Sequence, residues 1–100
     1  MEGFCVTCVF NLKPEVAGRM NGIIDSVYEK SLKEKGCLEY RWYKSETNSS
    51  DFLLFMTWES ESAFQEHVKT NHVSDAEEEL KEVLQKPYQD MGWRFLDPER

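Results

Sequence analysis

Residues 52–72, FLLFMTWESESAFQEHVKTNH, change period in the middle, and the change decides the fold. Up to Trp58 the period is two. Phe52, Leu54, Met56 and Trp58 share one face and Leu53, Phe55 and Thr57 the other, as a pleated strand requires. The alternation stops at Glu59-Ser60. Ser60 carries a hydroxyl able to cap the amides of a following helix, and Glu61 puts negative charge in the first turn, where the helix dipole favours it. Beyond the cap the period is helical, with Ala63, Phe64, His67 and Val68 on one face. Trp58 therefore closes a strand, His67 sits about two turns into the helix that leaves it, and both point into the space between sheet and helix.

Composition narrows the class. A chain of 100 residues suits one domain, read here as residues 1–100, and buries roughly two-thirds of its unfolded surface. The net charge of -7 argues against a nucleic-acid partner, because phosphate binding needs clustered Lys and Arg. No apolar run is long enough to span a bilayer, and Met1-Glu2-Gly3 lacks the basic start of a signal peptide; the expectation is a cytoplasmic protein with no membrane partner. Three cysteines, an odd count, suit reduced thiols. Cys5 and Cys8 spell C-x-x-C, but on a strand that odd separation sends the sulfurs to opposite faces, and no second pair completes a zinc site. They read as small buried hydrophobes.

Working outward, Phe4 to Phe10 alternates as a first strand, with Phe4, Val6, Cys8 and Phe10 on one face. Pro14 opens a helix predicted to run to about Glu34 on the stripe Val16, Met20, Ile23, Ile24, Val27 and Leu32; Gly36 stops it. Gly18 and Gly22 are either surface glycines or points of close approach. A second strand spans Cys37 to Lys44 with Leu38, Tyr40 and Trp42 on one face, and the polar stretch Ser45 to Asp51 turns it into the third strand. After Thr70-Asn71 a third helix runs from about His72 to Gln85 on Val73, Ala76, Leu80, Val83 and Leu84. Tyr88 to Leu96 is predicted as a last strand, with Met91, Trp93 and Phe95 on one face. The order predicts an α+β, ferredoxin-like antiparallel sheet with its helices on one face. The other face still carries Leu53, Phe55, Cys5 and Val9, and a second copy packing sheet on sheet would bury them, so a homodimer is expected.

Three groups of residues resemble the antibiotic biosynthesis monooxygenase family: Trp58-Glu59-Ser60 with Ala63-Phe64, His67 and His72; Gly36-Cys37-Leu38-Glu39-Tyr40; and Leu12-Lys13-Pro14-Glu15. The similarity covers about Phe4 to Leu96. It implies a dimeric α+β barrel with a pocket in each subunit between sheet and helices. Some relatives are oxygenases without metal or flavin, acting on quinols or aromatic polyketides; others degrade haem, and others isomerise or bind small metabolites.

The residues suit the first of these chemistries. A cofactor-free oxygenase lets an electron-rich phenolic substrate reduce dioxygen, so the protein must hold the ring, take a proton and exclude water. Trp58, Tyr40, Trp42, Phe64 and Phe95 are candidates for an aromatic slot, and His67 for the base. Tyr40 or Asn71 is the candidate to hold a substrate oxygen. Plain core packing is the competing account of the aromatics, and a backbone-bonded structural histidine that of His67. His72, near a helix start, reads as a surface or capping residue; five residues and a helix break separate it from His67, so no metal is expected. Haem is the alternative cofactor. The haem-degrading branch resembles this chain at Trp58 but carries an Asn on the first strand where Cys8 stands here, and Asn11 lies too near the strand's end. A metabolite-binding or isomerase site would need a charged clamp from Arg41 or Arg94, which alternation puts opposite Trp42 and Trp93. A dimer with a vestigial pocket is the third reading.

Overall fold

The strands fall where the period of two is cleanest. The structure, a computed structural model, describes residues 3–96. β1 (Phe4–Asn11) and β3 (Asp51–Trp58) form the centre of a four-stranded sheet, with β2 (Cys37–Lys44) outside β3 and a short β4 (Met91–Trp93) outside β1; every pairing is antiparallel. The order β2-β3-β1-β4 is ferredoxin-like, and the sheet of one chain is open, not closed into a barrel. Val6 faces Met56, Cys8 faces Leu54 and Phe10 faces Phe52 across the central ladder, so the apolar sets of the two strands lie side by side on one face.

That face is the core. α1 (Met20–Leu32) covers it with Met20, Ile23 and Val27, and α3 (Asn71–Val83) with Ala76, Leu80 and Val83, all buried. Between β3 and α3 the short α2 (Glu61–Val68) contributes Phe64 and His67. Ser60 caps α2 by accepting a hydrogen bond from the Ala63 amide at 3.1 Å, and Thr70 caps α3 from Val73 at 3.4 Å. Among the described residues, no helix lies over the opposite face of the sheet. Cys5, Thr7, Leu53 and Phe55 are half-buried there, while Val9 is 47% and Trp93 52% exposed. Among the described residues, no helix is long and apolar enough to cross a membrane.

Three elements differ from their sequence reading. The helix predicted from Pro14 begins as a 3-10 turn, Pro14–Arg19, and becomes α-helical only at Met20. The Val16 amide already bonds the Lys13 carbonyl at 3.0 Å, a three-residue span that proline at the first position suits and that Gly18 does little to oppose. Gly18 and Gly22 have open space where a side chain would begin, so they are surface glycines. Leu38 leaves the face of Tyr40 and Trp42: Cys37 pairs with Trp58 and Glu39 with Thr57, so Leu38 is the extra residue of a bulge and is 53% exposed. The last strand shrinks to Met91–Trp93, because the preceding Tyr88 and Asp90 turn toward the core and the chain after Trp93 leaves the ladder.

Gly36 fixes the turn from α1 into β2. Its φ is +88°, in the left-handed region, and a Cβ there would stand 2.8 Å from the Cβ of Ala63. Its carbonyl accepts from the Glu59 amide at 2.8 Å, tying the turn to the start of α2. Gly36→Ala is expected to destabilise the fold by about 1–3 kcal/mol from the backbone conformation alone, with the Ala63 contact adding to it. Urea unfolding would show this as a lowered midpoint with an unchanged slope; an unchanged midpoint would remove the constraint assigned to this turn.

Candidate active site

The turn that Gly36 closes also positions Glu34. The Glu34 amide bonds the Ser31 carbonyl at 3.1 Å and its carbonyl accepts from Cys37 at 3.2 Å, so the residue is held at both ends just after α1. Its carboxylate reaches two imidazoles at once. Oε2 is 2.8 Å from Nδ1 of His67 and 2.7 Å from Nε2 of His72. The side chains are only 16% exposed for Glu34, 5% for His67 and 13% for His72. The break at Thr70, where the hydroxyl donates to the His67 carbonyl at 2.8 Å, turns the chain so that residues five apart in sequence meet one oxygen.

An ionised carboxylate only accepts, so each imidazole presents an N–H to Glu34: Nδ1–H from His67 and Nε2–H from His72. This leaves Nε2 of His67 without its proton and turned away from Glu34. Burial lowers the His67 pKa below the ordinary histidine value; the Glu34 contact opposes the shift and His72 adds to it. His67 is therefore neutral near pH 7. Its ring lies 4.6 Å from that of Trp58, centroid to centroid, and about 6 Å from those of Tyr40 and Phe64.

Next to His67 is a narrow cavity of about 50 Å³. Its wall includes Cys8 and Phe10 from β1, Tyr40 and Trp42 from β2, Phe64 and His67 from α2, and Tyr88 and Asp90 from the segment that crosses toward β4. Burial pushes the Tyr40 hydroxyl up to about 12, so it stays protonated as a donor. The indole nitrogens of Trp42 and Trp58 are buried with no hydrogen-bond partner among the described residues. Cys8 donates its thiol hydrogen to Asp90 Oδ1 at 2.9 Å, and burial followed by that carboxylate raises its pKa well above the ordinary thiol range. The Tyr88 ring packs 4.6 Å from that of Phe10, centroid to centroid, and its hydroxyl donates to Glu77 Oε2 at 3.0 Å. Tyr88 also lines an outer groove of about 470 Å³ between α3 and the crossing segment, so it separates cavity from solvent.

The residues singled out in the sequence divide accordingly. Tyr40, Trp42, Phe64 and His67 come together on the cavity wall. Trp58 is fully buried against the His67 ring and is not among the residues of that wall. Asn71 is exposed at the first residue of α3, and Phe95 is 61% exposed beyond β4. Arg41 lies out on the other face, 3.4 Å from Glu39. Asn11 is at the end of β1 and bonds Asp51 at 2.9 Å. The cysteines are all free, with Cys8 in the core and Cys5 on the opposite face. Sequence reasoning missed Glu34, Tyr88 and Asp90, and it read His72 as a surface or capping residue. Only the helix break at Thr70 hinted that His72 could turn back.

Comparison with known proteins follows the same lines. The family model described as antibiotic biosynthesis monooxygenase matches residues 3–79. An uncharacterised protein of Synechocystis is 29% identical over 76 residues, covering 76% of this chain and 52% of that protein, so the chain spans about half the length of the curated relative it matches. The crystal structure of a conserved protein from Methanosarcina mazei is similar with a TM-score of 0.88 and 26% identity, covering 94% of this chain and 93% of the other. A structure from Mycobacterium tuberculosis gives a TM-score of 0.87 at 23% identity, covering 97% and 98%; at that identity the likeness is one of fold.

Proposed function

The chain belongs to the antibiotic biosynthesis monooxygenase family, and from that premise we propose that it is a cofactor-independent monooxygenase acting on a quinol-like aromatic molecule. One observation carries the reading: His67 lines an aromatic cavity while its Nδ1 is bonded to Glu34, which leaves Nε2 as the nitrogen to act as the base. Nε2 takes the phenolic proton of a ring lying against Tyr40, Trp42 and Phe64. The resulting quinolate passes an electron to dioxygen, and the two radicals join at a ring carbon as a peroxide anion, which takes the proton back from His67 to become a hydroperoxide. The distal oxygen leaves as water with the hydrogen of that ring carbon, and the proximal oxygen stays as a carbonyl that enolises. The sum is quinol plus dioxygen giving hydroxyquinone plus water, so the substrate supplies every electron. The protonated Tyr40 hydroxyl donates to the developing oxyanion, and the indole N–H of Trp42, which has no hydrogen-bond partner among the described residues, is a second donor. Trp58 acts by packing on His67 and holding its ring.

At about 50 Å³ the cavity is smaller than the roughly 300–1,000 Å³ of ordinary ligand pockets, so a ring is admitted only when the crossing segment moves out and Tyr88 releases Glu77. The haem alternative gains no support: Cys8 is engaged with Asp90, and a porphyrin needs a far wider slot. The free cysteines support a reducing, cytoplasmic setting. The test is oxygen uptake with a panel of hydroquinones by chelator-treated protein with no flavin added. Uptake with stoichiometric hydroxyquinone supports the reading; no uptake across the panel sinks it.

We further propose that the uncovered sheet face pairs with a second copy, which would bury Val9, Phe55 and Trp93. Light scattering at micromolar concentration is expected to give about twice the 11.8 kDa chain mass, on an interface of standard size, about 1,200–2,000 Å² in total. A monomeric mass would remove the dimer.

A further inference from the structure

We propose that Glu34, His67 and His72 form a binding site for one divalent transition-metal ion of the zinc class, and that occupancy reverses the proton-bearing nitrogen of His67. The three donor atoms, Glu34 Oε2, His67 Nδ1 and His72 Nε2, lie within 4.8 Å of one another. They come from three separately anchored places: the Gly36 turn, the buried face of α2 and the first turn of α3. Two imidazoles and one carboxylate are a ligand set that suits zinc and its neighbours, with water left for a fourth position. Both nitrogens that would bind already face the same oxygen, so small shifts that bring the three atoms to about 2 Å from a common centre would seat the ion. Glu34 and His72 are slightly exposed, and they form the edge by which a hydrated ion reaches the site. The net charge of -7 favours the approach of a cation.

The chemistry balances without loss of a proton. A metal binds the lone pair of a neutral imidazole, so the proton on Nδ1 of His67 moves to Nε2, and the proton on Nε2 of His72 moves to its Nδ1. Each ring stays neutral. The nitrogen of His67 that faces away from Glu34 changes from acceptor to donor. Resting on the function proposed above, this makes the ion an inhibitor: the loaded form has no base beside the cavity.

The experiment uses the full chain, stripped with chelator and titrated with Zn²⁺, and in parallel with Co²⁺ as an optical probe. The expected result is one ion per chain, visible Co²⁺ ligand-field bands that Zn²⁺ abolishes, and a long-range ¹⁵N–¹H spectrum in which the His67 proton shifts from Nδ1 to Nε2. Glu34→Gln and the milder His72→Gln, each checked for fold by circular dichroism, should weaken binding by more than the about 10–100-fold typical of residues that merely support a metal ligand. Absence of Co²⁺ bands, binding unchanged in both variants, or a His67 proton that stays on Nδ1 with zinc bound would each overturn the site. These readings do not depend on turnover. Zinc that binds as expected while the chelator-stripped protein consumes no quinol would defeat the oxygenase reading and leave the metal site standing.

Discussion

His67→Ala is expected to slow quinol turnover by roughly 10²–10⁴-fold, the usual contribution of a positioned general base, while the protein remains folded. The position supports both halves of that expectation. The imidazole is on the cavity wall with one nitrogen committed to Glu34, so its removal takes away the acceptor without cutting a backbone bond. It also leaves Glu34 bonded to His72 at 2.7 Å, so the carboxylate keeps one partner in the variant. The check is steady-state oxygen uptake with the best hydroquinone of the panel, read as kcat and kcat/KM together. A base that acts only in the transition state lowers both alike, whereas a ring that merely fills space would raise KM and spare kcat. Uptake as fast as the parent's would remove His67 from the mechanism.

Trp58→Ala is expected to cost about 3–5 kcal/mol of folding stability. Trp58 is completely buried at the end of β3, paired with Phe4 across the ladder and packed on His67. For a small domain of typical stability, about 5–15 kcal/mol, that loss removes a large part of the total. Trp58→Phe should cost clearly less, because it keeps an aromatic ring and discards an indole N–H that is buried with no partner among the described residues. Denaturant unfolding of the two variants separates the effects. If alanine costs no more than phenylalanine, the site tolerates a void, and the role given to Trp58 in holding the His67 ring fails with it.

The fold was legible because its signals are local. The alternation in Phe52–Trp58 and the switch of period at Ser60 place β3 and α2, and the apolar sets assigned to β1 and β3 are the buried ones, apart from the half-buried Phe4. The exceptions need pairing information. Leu38 has the spacing of Tyr40 and Trp42, and only the offset of Cys37 and Glu39 against β3 reveals the bulge that turns it out. Of the site, the half carried by α2 and β2 was readable, because Tyr40, Trp42, Phe64 and His67 all lie on apolar faces. The other half was not. Glu34 reaches His67 across 33 residues of sequence, and Cys8 reaches Asp90 across 82. A carboxylate in a turn carries no mark of the histidine it meets, and Asp90 falls inside the stretch predicted as the last strand, with nothing in the sequence to show that it turns back over the cavity.

The division of labour around the cavity has a consequence for how such a protein diversifies. The group proposed to move the proton is built from the α1 turn, α2 and the start of α3, with Trp58 behind it, whereas much of the wall a ring would touch comes from β1, β2 and the crossing that carries Tyr88. Exchanging Cys8 or Tyr88 reshapes the space without touching Glu34 or the face of His67 that it holds. Selectivity can therefore drift while the base stays in place, and a lineage built on this scaffold can change what it accepts by single substitutions, without first losing the chemistry and recovering it.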